Sequence, residues 1–202
     1  MRFLFLAFLL IGFKVFGNLS AFHDSTLDNR LNVVKNNREG KRIFFETGTA
    51  GGGGVYMAIL AGYEEIYSGE INPELYNCAL SRLKEERNVH LYLGDSAQIL
   101  ERVLPLIDEP VLFWLDAHCP GEGLHLSENC PVLRELQAIG AHSIKTHTIL
   151  VDDVRVFGTH FYDYIPLSAV VDAIMKINPD YVISFEDGFV KNDVLVAKIL
   201  PK

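Results

Sequence analysis

The sequence has few cysteines, and their arrangement excludes the usual cysteine-based frameworks. Three cysteines occur among 202 residues, and no two of them form a C-x-x-C pair. An odd number without such a pair indicates neither a disulfide scaffold nor a cysteine zinc knuckle. One bridge remains possible, between Cys119 and Cys130, because both flank a single predicted loop.

Basic residues are scarce relative to acidic ones. The chain carries 18 Lys and Arg against 26 Asp and Glu, which gives a net charge of -8. Binding to a nucleic-acid backbone depends on basic groups that release counterions from the phosphates. The short basic cluster at residues 38–42 does not form such a surface, and we expect no nucleic-acid partner.

The apolar run at the N-terminus, residues 3–13, is too short to span a bilayer comfortably. It follows Arg2, as in a secretory signal, and small residues near position 20 allow cleavage. We expect residues 1–20 to be a signal peptide or short membrane anchor, with any membrane contact through residues 1–16 only. The protein would then be in the secretory pathway or membrane-associated. An N-terminal element packed on a cytoplasmic protein is the alternative.

The phosphate-binding motifs of the common nucleotide-binding folds are also missing. Residues 43–54, IFFETGTAGGGG, nevertheless combine an apolar run with a glycine loop, and apolar residues at helical spacing follow. The loop lacks the Gly-Lys-Ser/Thr ending of a P-loop, and it has no in-register G-x-G-x-x-G. A strand, a glycine loop and a helix can hold a nucleotide-like cofactor through close backbone approach. A tight turn that only packs the helix on a sheet is the alternative.

Strands and helices alternate along residues 21–202, which predicts a single domain. Residues 111–115, VLFWL, are fully apolar, as in a buried parallel strand. Asn72 and Pro73 begin one predicted helix, and other helices are expected near Ser96, at 131–139 and beyond Pro166. The last two strands form a hairpin. The pattern predicts an α/β fold: a doubly wound, mostly parallel Rossmann-like sheet with helices on both faces and a C-terminal antiparallel hairpin.

Five successive predicted strands end in acidic residues, and in such a sheet these ends lie along the edge that binds ligands. The acids are Glu46, Glu70, Asp95, Asp116 and the pair Asp152 and Asp153. Each acid could also be a helix N-cap. An acidic edge repels pyrophosphate and accepts hydroxyls, an ammonium group or a metal ion. It therefore favours a cofactor with ribose hydroxyls and a positive centre, such as S-adenosylmethionine.

At these positions the sequence resembles the class I S-adenosylmethionine-dependent methyltransferases, over roughly residues 40–200. The residues that match the first motif, acid-x-Gly-x-Gly-x-Gly, are Glu46, Gly48, Ala50 and Gly52, with Ala in place of the middle Gly. Glu70 matches the acid that holds the ribose hydroxyls, while Asp95 and Ser96 match positions beside the adenine. The resemblance implies that these residues bind S-adenosylmethionine.

The second half is similar to the metal-dependent O-methyltransferases of the catechol and macrolide-sugar types. Their acid after strand four and acidic pair after strand five correspond to Asp116, Asp152 and Asp153. Three carboxylates can hold one Mg²⁺ and leave positions for water and substrate oxygens. The resemblance implies magnesium-assisted O-methylation of a hydroxylated small molecule or sugar, in which the metal lowers the pKa of the acceptor hydroxyl before in-line attack.

His118 and Asp116 are the catalytic candidates. His118 lies two residues past Asp116, and the unperturbed pKa of histidine suits a general base. The catechol enzymes have a lysine shortly after this acid, whereas this chain has none nearby. Arg155 could orient an acidic or sugar substrate, and a surface salt bridge is its simpler role.

Three other hypotheses compete with an active methyltransferase. A zinc site could use Asp116, His118, Cys119, His125 and Cys130, although their spacing matches no standard zinc motif. A catalytically silent binding protein could keep the fold, since an export signal is unexpected beside a cofactor made in the cytosol. An NAD-linked oxidoreductase is disfavoured, because the G-x-G-x-x-G fingerprint of dinucleotide binding is missing and the glycine loop has no basic residue.

Overall fold

A seven-stranded sheet forms the centre of the molecule. The computed structural model describes residues 25–118 and 130–200. The strands are β1 (Ile43–Thr47), β2 (Glu65–Glu70), β3 (Val89–Leu93), β4 (Val111–Leu115), β5 (Thr148–Val151), β6 (Val182–Glu186) and β7 (Val194–Lys198). The α-helices of these two ranges are α1 (Ser25–Asn36), α2 (Gly53–Ala61), α3 (Pro73–Leu83), α4 (Ser96–Val103), α5 (Val132–Ala141) and α6 (Leu167–Ile177). Short 3₁₀ helices lie at Leu104–Leu106, Val154–Val156 and His160–Tyr162.

The strand order is β3-β2-β1-β4-β5-β7-β6. Strands β1 to β5 pair in parallel, whereas β7 runs antiparallel to both β5 and β6. The predicted doubly wound sheet with a C-terminal antiparallel hairpin is therefore confirmed. The direction of winding reverses between β1 and β4, and ligands of such sheets bind beyond the carboxyl ends of the strands at this point.

Helices cover both faces of the sheet, which explains why its central strands are buried along their whole length. Every residue of β1 and β4 is buried. Because side chains alternate along a strand, Phe44 and Phe45 point to opposite faces. Phe44 joins a core with residues of α1, α2 and α3, and Phe45 joins a core with residues of α4, α5 and α6.

Helix α3 begins at the cap that the sequence predicts, but it is shorter than predicted. The Asn72 side chain accepts hydrogen bonds from the backbone N–H groups of Glu74 and Leu75, as predicted for an N-cap. The helix ends at Leu83 rather than near Arg87. A turn ends it, because the N–H of Glu86 donates to the carbonyl of Leu83 over 3.0 Å.

Some sequence predictions lie outside the described residues. These are the signal peptide or anchor at residues 1–20 and the participation of Cys119 and His125 in a disulfide or zinc site. Within residues 25–118 and 130–200, no helix is long and apolar enough to cross a bilayer. The domain boundaries and the localisation stay predictions.

Candidate functional site

The glycine loop between β1 and α2 packs tightly against the neighbouring strands. Gly48 has φ +83°, and a Cβ at this residue would lie 2.7 Å from the carbonyl oxygen of Asp116. Ala50, at the position of the motif's middle glycine, also has positive φ, at 44°. The chain therefore keeps a left-handed conformation at Ala50 although an alanine adopts it less readily than glycine.

Glu46, at the end of β1, is buried under the start of α2. A Cβ at Gly54 would lie 1.6 Å from the Glu46 Oε1 atom, so only glycine leaves room for this carboxyl group. Ser68 Oγ donates to Glu46 Oε2 over 2.7 Å, and Thr49 Oγ1 lies 2.6 Å from Ser68 Oγ. Burial raises the pKa of Glu46 to about 8, and the charge of Asp116 adds to this shift. Glu46 is therefore mostly protonated at neutral pH. It belongs to β1, accepts a hydrogen bond from Ser68 of β2 and packs against Gly54 of α2.

Glu70, at the end of β2, connects that strand to the glycine loop. Its Oε2 accepts the N–H of Ala50 over 2.7 Å, and its Oε1 accepts the N–H of Asn72 over 2.8 Å. A carboxylate oxygen has two acceptor positions, so each oxygen can also accept a hydroxyl. The structure thus brings together the glycine loop and the predicted ribose-binding acid. Their role in cofactor binding stays a prediction.

Asp95 and Ser96, predicted beside the adenine, are held by two residues of α5. Arg134 pairs with Asp95 through two hydrogen bonds of 3.0 and 2.7 Å, and Asp95 also caps α4 by accepting the N–H of Gln98. The Arg134 hydrogen bonds lower the pKa of Asp95. Ser96 Oγ donates to Glu135 Oε1 over 2.5 Å. The sequence analysis missed Arg134 and Glu135, although an acid within the apolar face of a helix indicates a buried partner.

Two arginines pair with the aspartates that follow β4 and β5. Arg30 Nη2 lies 3.2 Å from Asp116 Oδ2 and 3.1 Å from Asp152 Oδ2. Arg155 pairs with Asp153, at 2.6 Å, and with Asp193. The salt-bridge role considered for Arg155 is thus present in the structure, and Arg30 is a functional candidate that the sequence analysis missed.

Burial of these aspartates favours their protonated forms. It raises the pKa of both Asp116 and Asp152, and neighbouring carboxylates add to both shifts. The positive charge of Arg30 opposes both shifts. Removing Arg30 would therefore leave adjacent buried acids without their cation.

His118 lies between two of the aspartates. Its Nδ1 is 3.7 Å from Asp116 Oδ1, and its Nε2 is 3.4 Å from Asp153 Oδ2. The hydroxyl of Tyr162 lies 3.2 Å from His118 Nδ1, the ring nitrogen that also faces Asp116. The structure thus places the predicted base beside the predicted catalytic acid.

The predicted magnesium ligands meet in two overlapping groups. Ligand atoms of Asp116, His118 and Asp153 lie within 4.8 Å of one another, as do those of Asp152, Asp153 and Asp193. Carboxylate oxygens are suitable magnesium ligands. However, the Arg30 guanidinium already bridges Asp116 and Asp152, so the arrangement does not fit a metal ion between those two side chains. Magnesium binding at Asp116, Asp152 and Asp153 stays a prediction of the sequence.

No protein-family model and no curated protein matches the sequence. Solved structures do match its fold. An O-methyltransferase from Bacillus cereus in complex with SAH is 16% identical over 84% of this chain and 78% of that chain, with a TM-score of 0.59. The O-methyltransferase TomG from Streptomyces achromogenes, involved in tomaymycin synthesis and in complex with SAM, is 18% identical over 85% and 80%, with a TM-score of 0.56.

A third solved structure, the SAH-bound methyltransferase PaMTH1 from Podospora anserina, is 16% identical over 85% of this chain and 76% of that chain, with a TM-score of 0.55. At such low identity the likeness shows the fold. The chain therefore has the fold of the class I S-adenosylmethionine-dependent methyltransferases, as the resemblance in the sequence predicted.

Proposed function

We propose that this protein is an S-adenosylmethionine-dependent methyltransferase that methylates a hydroxyl oxygen of a small molecule or sugar. The observation that carries the proposal is the hydrogen bond between the glycine loop, which follows β1 at the switch point of the sheet, and Glu70 at the end of the neighbouring strand β2. The matched solved structures named above support it, because each is a methyltransferase with SAM or SAH bound. An acidic strand edge also suits a cationic cofactor rather than a pyrophosphate.

When bound, S-adenosylmethionine supplies a methyl group to an attacking oxygen and keeps the electron pair of the broken carbon–sulfur bond. Glu70 accepts the ribose hydroxyls, and the glycine loop lets the backbone approach the cofactor. His118 takes the proton of the acceptor hydroxyl. Asp116 and Asp153 stabilise the resulting imidazolium, since each has a carboxylate oxygen within 4 Å of the ring. Most of the rate would come from orienting the two reactants.

Calorimetric titration with S-adenosylhomocysteine tests cofactor binding. Folded wild-type protein should bind it, and Glu70→Gln should weaken binding by about tenfold to a hundredfold, because a hydrogen bond to a charged group is worth about 1.5–3 kcal/mol. Glu65→Gln is the matched control, since Glu65 begins the same strand at the opposite edge and pairs with His90. Absence of binding by folded wild-type protein would refute the proposal.

A panel of catechols, other phenols and sugars, tested with methyl-labelled cofactor, addresses the transfer step. Transfer should be lost in His118→Ala and recovered in part as the pH is raised, because the acceptor hydroxyl then ionises without a base. Cofactor binding without transfer to any acceptor would instead favour the catalytically silent alternative.

A further inference from the structure

Arg30 lies on the side of α1 that packs against the sheet. Arg30, Val33, Val34 and Asn37 follow helical spacing, and the last three of these residues are buried. The Arg30 side chain is 28% exposed, and its Nε atom is buried without a hydrogen-bond partner among the described residues. A guanidinium in such a position requires anionic partners, because an unpaired buried charge is strongly unfavourable.

The anionic partners of Arg30 come from two adjacent strands. Asp116 follows β4 and Asp152 follows β5, and a single nitrogen of Arg30 lies 3.2 and 3.1 Å from one oxygen of each. The Asp152 side chain is only 1% exposed. Its other oxygen accepts the N–H of Asp153 over 2.9 Å. Arg30 therefore bridges two carboxylates, one of which has almost no access to water.

We propose that Arg30 is the resident cation of this site and occupies the place between Asp116 and Asp152 that a divalent metal ion would otherwise hold. The wild-type protein then has no divalent metal bound by these two carboxylates. The catalytic consequence, methyl transfer without a divalent metal, rests on the function proposed above. In this role Arg30 is a positioning residue, since it acts through the two aspartates.

The packing around Arg30 opposes its replacement by a metal ion. Arginine stays charged at all accessible pH values, so a divalent cation beside it would be repelled. The guanidinium carbon lies 5.6 Å from the centroid of the Trp114 ring, a distance that suits a cation–π contact. Directly after α1, Asn37 Nδ2 donates to Glu186 Oε1 over 2.8 Å and to the carbonyl of Val33 over 2.9 Å, which holds the end of the helix.

Titration with Mn²⁺, followed by electron paramagnetic resonance of the free ion, tests the proposal without any activity measurement. The wild-type protein should show no Mn²⁺ site that depends on both Asp116 and Asp152. Arg30→Met removes the charge and keeps much of the side-chain volume, and it should strengthen Mn²⁺ binding at least tenfold. Adding Asp152→Asn to this variant should abolish the gain.

Two further variants separate the charge of Arg30 from other effects. Arg30→Lys keeps a cation and should not gain Mn²⁺ binding. Arg42→Met is the matched control, because Arg42 also pairs with two carboxylates, Glu64 and Glu109, but is 55% exposed. It should leave Mn²⁺ binding unchanged.

Stoichiometric Mn²⁺ binding by the wild-type protein that Asp116→Asn and Asp152→Asn each abolish would overturn the proposal, because only an ion between these two carboxylates depends on both. An Arg30→Met variant that folds but gains no binding would also overturn it. If Arg30→Met does not fold by circular dichroism, the wild-type, Asp116→Asn and Asp152→Asn titrations still decide the question. Failure of the proposed function is distinguishable, since it appears as absent S-adenosylhomocysteine binding in calorimetry, whatever the Mn²⁺ result.

Discussion

Gly54→Ala should destabilise the protein, although alanine is the better helix former. The added Cβ would lie 1.6 Å from Glu46 Oε1 and 2.7 Å from its Cδ, so the carboxyl group must move. Glu46 is only 2% exposed, and its other oxygen accepts the hydroxyl of Ser68. The carboxyl group therefore has to leave a satisfied position in a packed interior.

The expected cost follows from three contributions. A lost hydrogen bond that leaves a buried group unsatisfied costs about 1–3 kcal/mol. Overpacking of a core costs about 1–3 kcal/mol. The helix preference for alanine over glycine offsets at most about 1 kcal/mol. The free energy of unfolding should therefore fall by about 3 kcal/mol, which lowers Tm by about 6–12 °C in a domain of this size.

Urea and thermal unfolding of Gly54→Ala beside Gly53→Ala measure this cost. Gly53 is the adjacent residue in the same helical turn, and a Cβ there would meet nothing within 4 Å. Gly53→Ala should be neutral or stabilise by up to about 1 kcal/mol, because it reduces the entropy of the unfolded chain.

A double-mutant cycle with Glu46→Ala tests whether the carboxyl group causes the loss. Without this group, Gly54→Ala should cost at least about 1 kcal/mol less than it does in the wild-type protein, since residues in contact are energetically coupled. Equal stability of Gly54→Ala and Gly53→Ala would refute the argument, as would additive effects in the cycle.

Two further predictions concern buried titratable groups. Glu135 is fully buried, and burial raises its pKa from 4.5 to about 7. Between these values the unfolded chain has lost a proton that the folded protein still holds, so stability falls as pH rises from about 4.5 to 7. At 1.36 kcal/mol per pKa unit, the wild-type protein should lose about 2–3 kcal/mol of unfolding free energy between pH 5 and pH 7.5 relative to Glu135→Gln. Urea unfolding of both proteins at these two pH values measures the difference. An equal change of unfolding free energy in the two proteins would contradict this prediction. Burial and the neighbouring His142 lower the pKa of His147 to about 3, and its Nδ1 accepts the N–H of Val111. Long-range ¹⁵N NMR at pH 5.5 should show neutral His147 with its proton on Nε2, and a protonated ring would refute the assignment.

Features that depend on neighbouring residues in the chain were predictable from the sequence. The apolar run of β4, the glycine loop after β1 and the Asn72 cap of α3 each have a local pattern with a direct structural meaning. The row of acids at the strand ends was also predictable, because parallel strands align their carboxyl ends at one edge of the sheet. Helix length was less predictable, since a turn rather than a strong local signal ends α3 at Leu83.

The partners of those acids could not be read from the sequence, because they come from distant helices. Arg30 is 86 residues from Asp116, and Arg134 is 39 residues from Asp95. Which arginine faces which carboxylate depends on how α1 and α5 pack on opposite faces of the sheet. One signal was present for Arg30, namely its helical spacing from Val33, Val34 and Asn37, which indicates a charged residue on a buried face.

The sequence by itself determined the alternation of strands and helices, the glycine loop and the acidic edge, because local periodicity and backbone preference specify them. The tertiary structure alone decided that Glu46 packs on Gly54 and that an arginine lies between Asp116 and Asp152. These contacts depend on the relative positions of whole elements, to which local patterns are insensitive. The positive charge of Arg30 therefore reaches this site only through the packing of α1 against β4 and β5.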